Sequence, residues 1–158
     1  MARSKIGKLF SYARISIFWF LVCFYFKNLV LWLLRVGVSF RNDVLELYVL
    51  KNTGSAFSLF KDSNFTLAII AAVVIAGIIV CILKNSKKLN WLDIRALGFL
   101  TAGIASNMLE RFVDGYVTDY IKLTFIDFPV FNLADVFINI GAVLFIASVL
   151  LIRRGKCD

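Results

Sequence analysis

Two carboxylates, Asp119 and Asp135, stand where a chain of this composition rarely keeps a charge. The 158 residues are 61% hydrophobic, against about 45–50% in soluble domains, which marks a membrane chain. Ionisable groups near lipid are costly, and those that persist face an interior or a wet cavity and usually work there. Asp119 follows one apolar stretch, in Gly115-Tyr116-Val117-Thr118-Asp119-Tyr120, and Asp135 opens the next, in Phe131-Asn132-Leu133-Ala134-Asp135. The connection between them can fold the two together at the membrane surface. At close range both cannot ionise comfortably, so one keeps a proton and the pair titrates as a unit. Such a pair is the equipment of an aspartic protease. The ionised acid takes a proton from an attacking water while the protonated one polarises the peptide carbonyl, and no cofactor is required. Asp135 at a helix start, where the macrodipole favours an anion, is expected to be the ionised member, and Asp119 to hold the proton. A carboxylate that only caps its helix would explain Asp135 equally well.

Other chemistries are closed off by composition. The chain contains no histidine, so Ser-His and Cys-His nucleophiles and His-ligated metals are excluded. Cys23 and Cys81 fall inside apolar runs and Cys157 in a basic tail, with no C-x-x-C spacing, so no metal site and no disulfide is expected.

Polar residues able to hold the pair are few, and they are spaced rather than scattered. Gly103, Asn107, Glu110 and Arg111 follow one another at steps of four, three and one, which sets all four on one side of a helix. Asn132, Asp135 and Asn139 share a face of the next helix, with Asn132 as its N-cap and Pro129 just ahead. Asn107 and Asn132 are candidates to hydrogen-bond the aspartates or a substrate backbone. Arg111 either pairs with Glu110 or binds a substrate carbonyl or phosphate. Earlier, Asn52-Thr53-Gly54-Ser55-Ala56-Phe57 carries turn chemistry, since Gly54 can take a positive φ and Asn52 can bond the local backbone. A plain turn would account for both.

The elements that must position these residues are four apolar runs, each near the length of about 20 residues that spans a bilayer. They cover roughly 15–36, 65–83, 92–112 and 132–152, with polar segments at 39–64 and 113–131, in a single membrane domain over 1–158. Within the first polar segment, Val44 to Leu50 alternates and is rich in β-formers, so a strand at the membrane surface is expected. The second run carries no charge and no assigned chemistry. The net charge of +8 is a topology signal and not a nucleic-acid footprint. Arg3, Lys5, Lys8 and Arg14, then Lys84, Lys87 and Lys88, then Arg153, Arg154 and Lys156 fall on one side of four crossings. That side, with both termini, is therefore expected to be cytoplasmic. Lys27 and Arg35, near the outer end of the first run, read as snorkelling side chains.

Four of these segments together resemble the sequence blocks of lipoprotein signal peptidase, or signal peptidase II, of the bacterial inner membrane. They are Asn52 to Phe57, Gly103-Ile104-Ala105-Ser106-Asn107-Met108-Leu109-Glu110-Arg111, Gly115 to Tyr120, and Phe131 to Asp135, in that order. The resemblance implies a four-helix membrane protein with a small periplasmic β-cradle around Val44 to Phe57. It implies an aspartic endopeptidase that cuts prolipoproteins just before a cysteine carrying a diacylglyceryl group, with Asp119 and Asp135 as the catalytic pair. Asn52, Gly54, Gly103, Asn107, Glu110, Arg111 and Asn132 would line the site or support the pair. The partners implied are lipid-modified prolipoproteins and membrane lipid. Two positions depart from the family. Glu110 stands where aspartate is usual, and the first-helix pattern Asp-Gln-x-x-Lys is here Cys23-Phe24-Tyr25-Phe26-Lys27, which removes polar support from that helix. Phe57, Phe60, Phe112 and Phe131 would form a lipid-facing wall, or simply pack in a core.

A small proton-coupled transporter or channel subunit is the competing expectation, because intramembrane Asp, Asn and Arg also serve ion paths. It would place its acids near the bilayer midplane and would often show repeated halves. Here the acids lie at helix ends and the halves do not repeat.

Overall fold

The computed structural model describes residues 2–54 and 63–152. Phe57, Phe60 and the basic tail with Cys157 lie outside the described residues. Four α-helices and a two-stranded sheet follow in the order α1 (Ala2–Arg35), β1 (Leu45–Asn52), α2 (Asn64–Asn85), α3 (Trp91–Val113), β2 (Val117–Leu123) and α4 (Leu133–Ala147), closed by a π-helical turn over Ser148–Ile152.

Helix α1 begins well before the apolar run at Ile15. At about 1.5 Å per residue it is roughly 50 Å long, more than the hydrocarbon thickness of about 30 Å. Its basic start is held by packing, since Lys8 donates from Nζ to the carbonyls of Ser86 (2.6 Å) and Leu89 (2.7 Å). Those carbonyls lie just past the end of α2, where a cation is favoured. Tyr12 shares a 2.9 Å hydrogen bond with Thr101 on α3. The core around this end is Tyr12, Ile82, Leu89, Ile94 and Leu97. Towards the other end Trp19 stacks on Phe99 and meets Phe137 above Cys23 and Ala134.

Among the described residues three helices, Lys5–Arg35, Asn64–Asn85 and Leu133–Leu150, are long and apolar enough to cross a membrane. Helix α3 is more polar because it carries the Gly103 to Arg111 stripe and, near its start, Asp93 and Arg95. The stripe faces inward as expected. Gly103, Asn107 and Glu110 are buried and Arg111 half-buried. Gly103 lies at a close helix contact. A methyl there would collide with the carbonyl oxygen of Ala134 and lie 2.7 Å from Cγ1 of Ile138. Gly141 does the same from α4, where a methyl would come within 2.7 Å of the backbone of Ala96 and Leu100. Without a hydrophobic drive between helices in lipid, such small-residue contacts let backbones approach and pack. Gly103 is thus a spacer between α3 and α4.

Both α3 and α4 start on the same device. Asn90 accepts from the N–H of Asp93 while Asp93 accepts from that of Asn90, and Asn132 and Asp135 repeat the exchange. At the α3 start the box is sealed by Ser148, which donates to Asp93 (2.8 Å) and accepts from Asn90 (2.9 Å). It lies at the opposite end of the bundle from the Asn132 box.

The stretch Gly115 to Tyr120, within the polar segment expected between the third and fourth runs, is mostly strand. Gly115 takes φ +75° to turn the chain out of α3, and β2 pairs antiparallel with β1 from Leu45↔Leu123 to Asn52↔Val117. Between Leu47 and Leu50 the register shifts, leaving Tyr48 and Val49 opposite Tyr120. Such a bulge bends a strand and re-aims its side chains.

Gly103→Ala is expected to lower the thermal midpoint in detergent micelles by an amount equivalent to about 1–3 kcal/mol of overpacking. Gly77→Ala, where a methyl meets nothing within 4 Å, is the control and should melt at or above the parent.

Candidate active site

Asp135 is placed by the start of α4. As the third residue of the helix it turns its Oδ2 back to accept from the Asn132 N–H at 3.0 Å, and its Oδ1 accepts from Asn107 Nδ2 at 2.8 Å. Asp135 therefore does cap its helix, and the cap is what aims it. The first turn of an α-helix leaves N–H groups without intrahelical partners. Besides the capping box, Tyr120 Oη accepts another from Leu133 at 3.2 Å. The same segment is tied to the sheet edge, where Phe131 and Ile121 exchange backbone hydrogen bonds of 3.0 and 2.8 Å.

Asp119 is placed by β2. It is 2% exposed, and each of its oxygens meets an asparagine amide. Asn132 Nδ2 donates to Oδ1 at 2.7 Å and Asn52 Nδ2 to Oδ2 at 2.9 Å. In the observed register Leu50 lies directly opposite Asp119, so Asn52 is its diagonal neighbour on the same face, within reach of a short side chain.

One side chain links the two aspartates. The Asn132 oxygen accepts from Asp135 N (3.1 Å), and its amide nitrogen donates to Asp119 and to Asn107 Oδ1 (3.2 Å). Every asparagine in the set has its orientation fixed. Asn52 Oδ1 accepts from the Gly54 N–H at 3.0 Å, which leaves Nδ2 for Asp119. Asn107 Oδ1 takes Asn132, which leaves Nδ2 for Asp135. None can flip without stranding a donor against a donor.

Burial pushes the Asp119 carboxyl up to about 6, with the charges of Asp135 and Glu110 adding to it against the pull of the Asn52 and Asn132 amides. A desolvated acid beside other acids holds its proton above the ordinary carboxylate range. Tyr120 is pushed up by burial as well.

The remaining expected residues lie around this pair. Gly54 does not take a positive φ. Its N–H is held by Asn52, and its carbonyl accepts from Arg111 Nη2 at 3.2 Å. Asn64 steadies the same turn by donating to the Thr53 carbonyl at 2.9 Å. The other Arg111 nitrogen, Nη1, reaches the Asn107 carbonyl at 3.4 Å, and its buried Nε has no hydrogen-bond partner among the described residues. Glu110 turns the other way, to the Thr118 N–H and to Lys27, so the Arg111–Glu110 pairing entertained from the sequence gives way to two separate contacts. Lys27, expected to snorkel outward, points inward because a buried carboxylate lies within reach. Phe112 is 69% exposed and stacks with Phe65 at 6.4 Å, as a lipid-facing side chain would. Gly103 touches neither aspartate. Tyr120, Thr118 and Lys27 join the site although residue type and spacing do not mark them, and Asn90-x-x-Asp93 is a legible signal for the start of α3. Among the described residues no group of three or more His, Cys, Asp or Glu is placed to hold a metal.

The protein-family model described as signal peptidase (SPase) II matches residues 9–151. The chain belongs to the signal peptidase II family. It is 37% identical over 117 residues to a lipoprotein signal peptidase of a Cyanothece strain, covering 74% of this chain and 67% of that protein. It is 35% identical over 103 residues to one of Streptococcus thermophilus, covering 65% and 67%. Its fold is similar to that of a bacterial membrane enzyme solved by the in meso method at 1.9 Å, with a TM-score of 0.77 at 25% identity over 89% of this chain and 92% of the other. The chain is thus a peptidase of a bacterial membrane, with several apolar helices.

Two substitutions separate the cap from the bridge. Asn132→Ser keeps an oxygen to cap α4 but cannot reach Asp119. It should melt within a few degrees of the parent yet lose at least about tenfold in cleavage. Asn132→Ala should lose both, with a further cost of about 1 kcal/mol in stability.

Proposed function

We propose that the chain is an aspartic endopeptidase that removes the signal peptide from prolipoproteins whose cysteine carries a diacylglyceryl group, cutting just before that cysteine. The observation that carries this is the pair of aspartates from β2 and α4 joined through the single side chain of Asn132. A structural ion site or a cap would need only one of them.

In this mechanism Asp135 is the general base. It takes a proton from a water that attacks the scissile carbonyl carbon, while the protonated Asp119 donates a hydrogen bond to the carbonyl oxygen. The tetrahedral intermediate then collapses as the C–N bond breaks, and the leaving amine of the lipidated cysteine receives the proton held by Asp135. Arg111, with Nε unpaired among the described residues and Nη2 on the Gly54 carbonyl, is placed to fix the edge of the 52–54 turn or to bind a substrate carbonyl. Asn52 and Asn132 hold Asp119, and Asn107 holds Asp135. The acyl chains of the substrate stay in lipid beside exposed side chains such as Phe65 and Phe112, while the peptide bond reaches the water at the helix ends. Names carried by relatives, "Lipoprotein signal peptidase", agree with this substrate class.

The same proposal makes α3 a fourth crossing, with both termini cytoplasmic and the aspartates at the periplasmic face of the inner membrane. Supporting it, Lys8 and the α2–α3 loop meet at one end of the bundle, and the sheet and both aspartates lie at the other. Lys5, Lys8, Arg14, Lys84, Lys87 and Lys88 lie at the first of these ends, as basic residues of cytoplasmic segments do.

Gel-shift cleavage of a lipidated prolipoprotein tests the function. Asp119→Asn and Asp135→Asn should each lose about 10³-fold or more, and a variant that cleaves at near-parent rate would remove its aspartate from the mechanism. The kcat/KM profile should be bell-shaped. Its descending limb reports loss of the Asp119 proton in the free enzyme, so it should fall near the value of about 6 and not near an ordinary aspartate at about 4. The kcat limb should lie higher, because bound substrate excludes water from Asp119.

A further inference from the structure

Glu110 sits at the junction of three elements. From α3 its Oε2 accepts from the backbone N–H of Thr118 on β2 at 2.8 Å, and the same oxygen lies 3.4 Å from Lys27 Nζ on α1. Both side chains are nearly enclosed, with 14% of Lys27 and 10% of Glu110 exposed. A cavity of about 210 Å³ between α1 and α3, walled by Phe20, Phe24, Leu109 and Val113, adjoins the pair. Thr118 immediately precedes Asp119, so the N–H that Glu110 grips belongs to the peptide unit one residue before the carboxyl that must hold a proton.

From this geometry we infer that Lys27 is a positioning residue for Asp119, acting through Glu110 and the Thr118 N–H. The inference rests on the proposed role of Asp119 as the proton-holding acid. The cation does two things. It keeps the Glu110 carboxylate turned towards β2, where alone it can accept from Thr118, and it offsets a negative charge next to Asp119. An anion buried without its cation would reach for other donors and so loosen its hold on the strand. A misplacement of about 1 Å at a catalytic group can cost about 10²-fold in rate, so a strap one residue away matters although it touches neither water nor substrate.

The charged groups around Asp119 set the sign of the test. Asp135 faces it from α4 and Glu110 and Arg111 from α3, with Lys27 behind Glu110 on α1. From β1 the neighbour is the neutral Asn52, since Lys51 lies over the ring of Tyr116 at 4.6 Å. Along β2 the adjacent side chain is the neutral, buried Tyr120. Lys27→Met leaves Glu110 unopposed, so Asp119 should hold its proton to higher pH. Glu110→Gln removes the anion and leaves the cation, so Asp119 should release its proton at lower pH.

The experiment is cleavage of a lipidated prolipoprotein by Lys27→Met, Glu110→Gln, the double variant and Lys27→Arg, with an infrared titration of the Asp119 carboxyl in micelles on the same proteins. The expected result is opposite displacement of the descending limb by about half a unit to one unit in the two single variants. The double variant should return close to the parent limb, kcat should fall about tenfold with KM little changed, and Lys27→Arg should keep most of the rate. Limbs that do not move, or that move the same way in both single variants, would overturn the inference, as would a rise in KM at unchanged kcat. The double variant leaves no buried charge unpaired and so reports even where a single variant folds poorly. A parent that does not cleave the substrate would sink the proposed function alone, and the infrared midpoints would still decide whether Lys27 and Glu110 govern Asp119.

Discussion

The site depends on the way one helix begins. An α-helix cannot start without leaving N–H groups unpaired, and α4 answers this with Asn132 and Asp135 exchanging hydrogen bonds across its first turn. Because the Asn132 oxygen is committed to that exchange, its amide nitrogen has to point away from the helix, where it meets Asp119 and Asn107. Because Asp135 spends one oxygen on the cap, the other faces Asn107. The device that makes the helix possible also brings acids from two segments to one amide. At the start of α3 the same Asn-x-x-Asp device meets Ser148 and becomes a sealed joint. Local geometry is alike in the two places, and what lies across from it differs.

Around the pair the chain spends few charges and places them in opposition. Asp119, Asp135 and Glu110 are faced by Arg111 and Lys27, and the asparagines contribute donors without adding charge. Deep in low dielectric an unpaired ion is far costlier than a satisfied amide, which is why three asparagines and not three lysines surround the acids. The consequence is a carboxyl on β2 that burial holds well above its ordinary range beside a second carboxyl aimed by a helix start. General acid and base chemistry needs two such groups in different protonation states.

Much of this was legible in the sequence. Hydrophobic run length gives the helices. The four-three-one spacing of Gly103, Asn107, Glu110 and Arg111 gives an inward face, and Asn132 three residues ahead of Asp135 gives the capping box. What periodicity cannot give is the partner across that face. Gly103 meets α4, Asn107 meets Asp135, Glu110 meets β2 and α1, and Arg111 meets the turn at Gly54, four destinations for one stripe. The diagonal pairing of Asn52 with Asp119 depends on strand register and on a bulge at Tyr48 and Val49, and a shift of one residue would have turned Asn52 to the other face. Lys27 looked like a headgroup anchor because snorkelling is a property of one side chain alone, whereas its inward turn requires the carboxylate of another helix. The helical start of α1 was hidden by its charge, and is explained by the two carbonyls that Lys8 finds beyond the end of α2.

The central claim is that Asp119 and Asp135 feel each other across Asn132 and share one proton between them. It is tested most directly by following the Asp119 carboxyl by infrared titration in parent and Asp135→Asn proteins, without substrate. Shared protonation predicts that removing the Asp135 charge moves the Asp119 midpoint below the parent value of about 6, towards an isolated buried acid held by two amides. A midpoint that stays where it was would mean that the two carboxyls titrate independently, and the dyad would not exist.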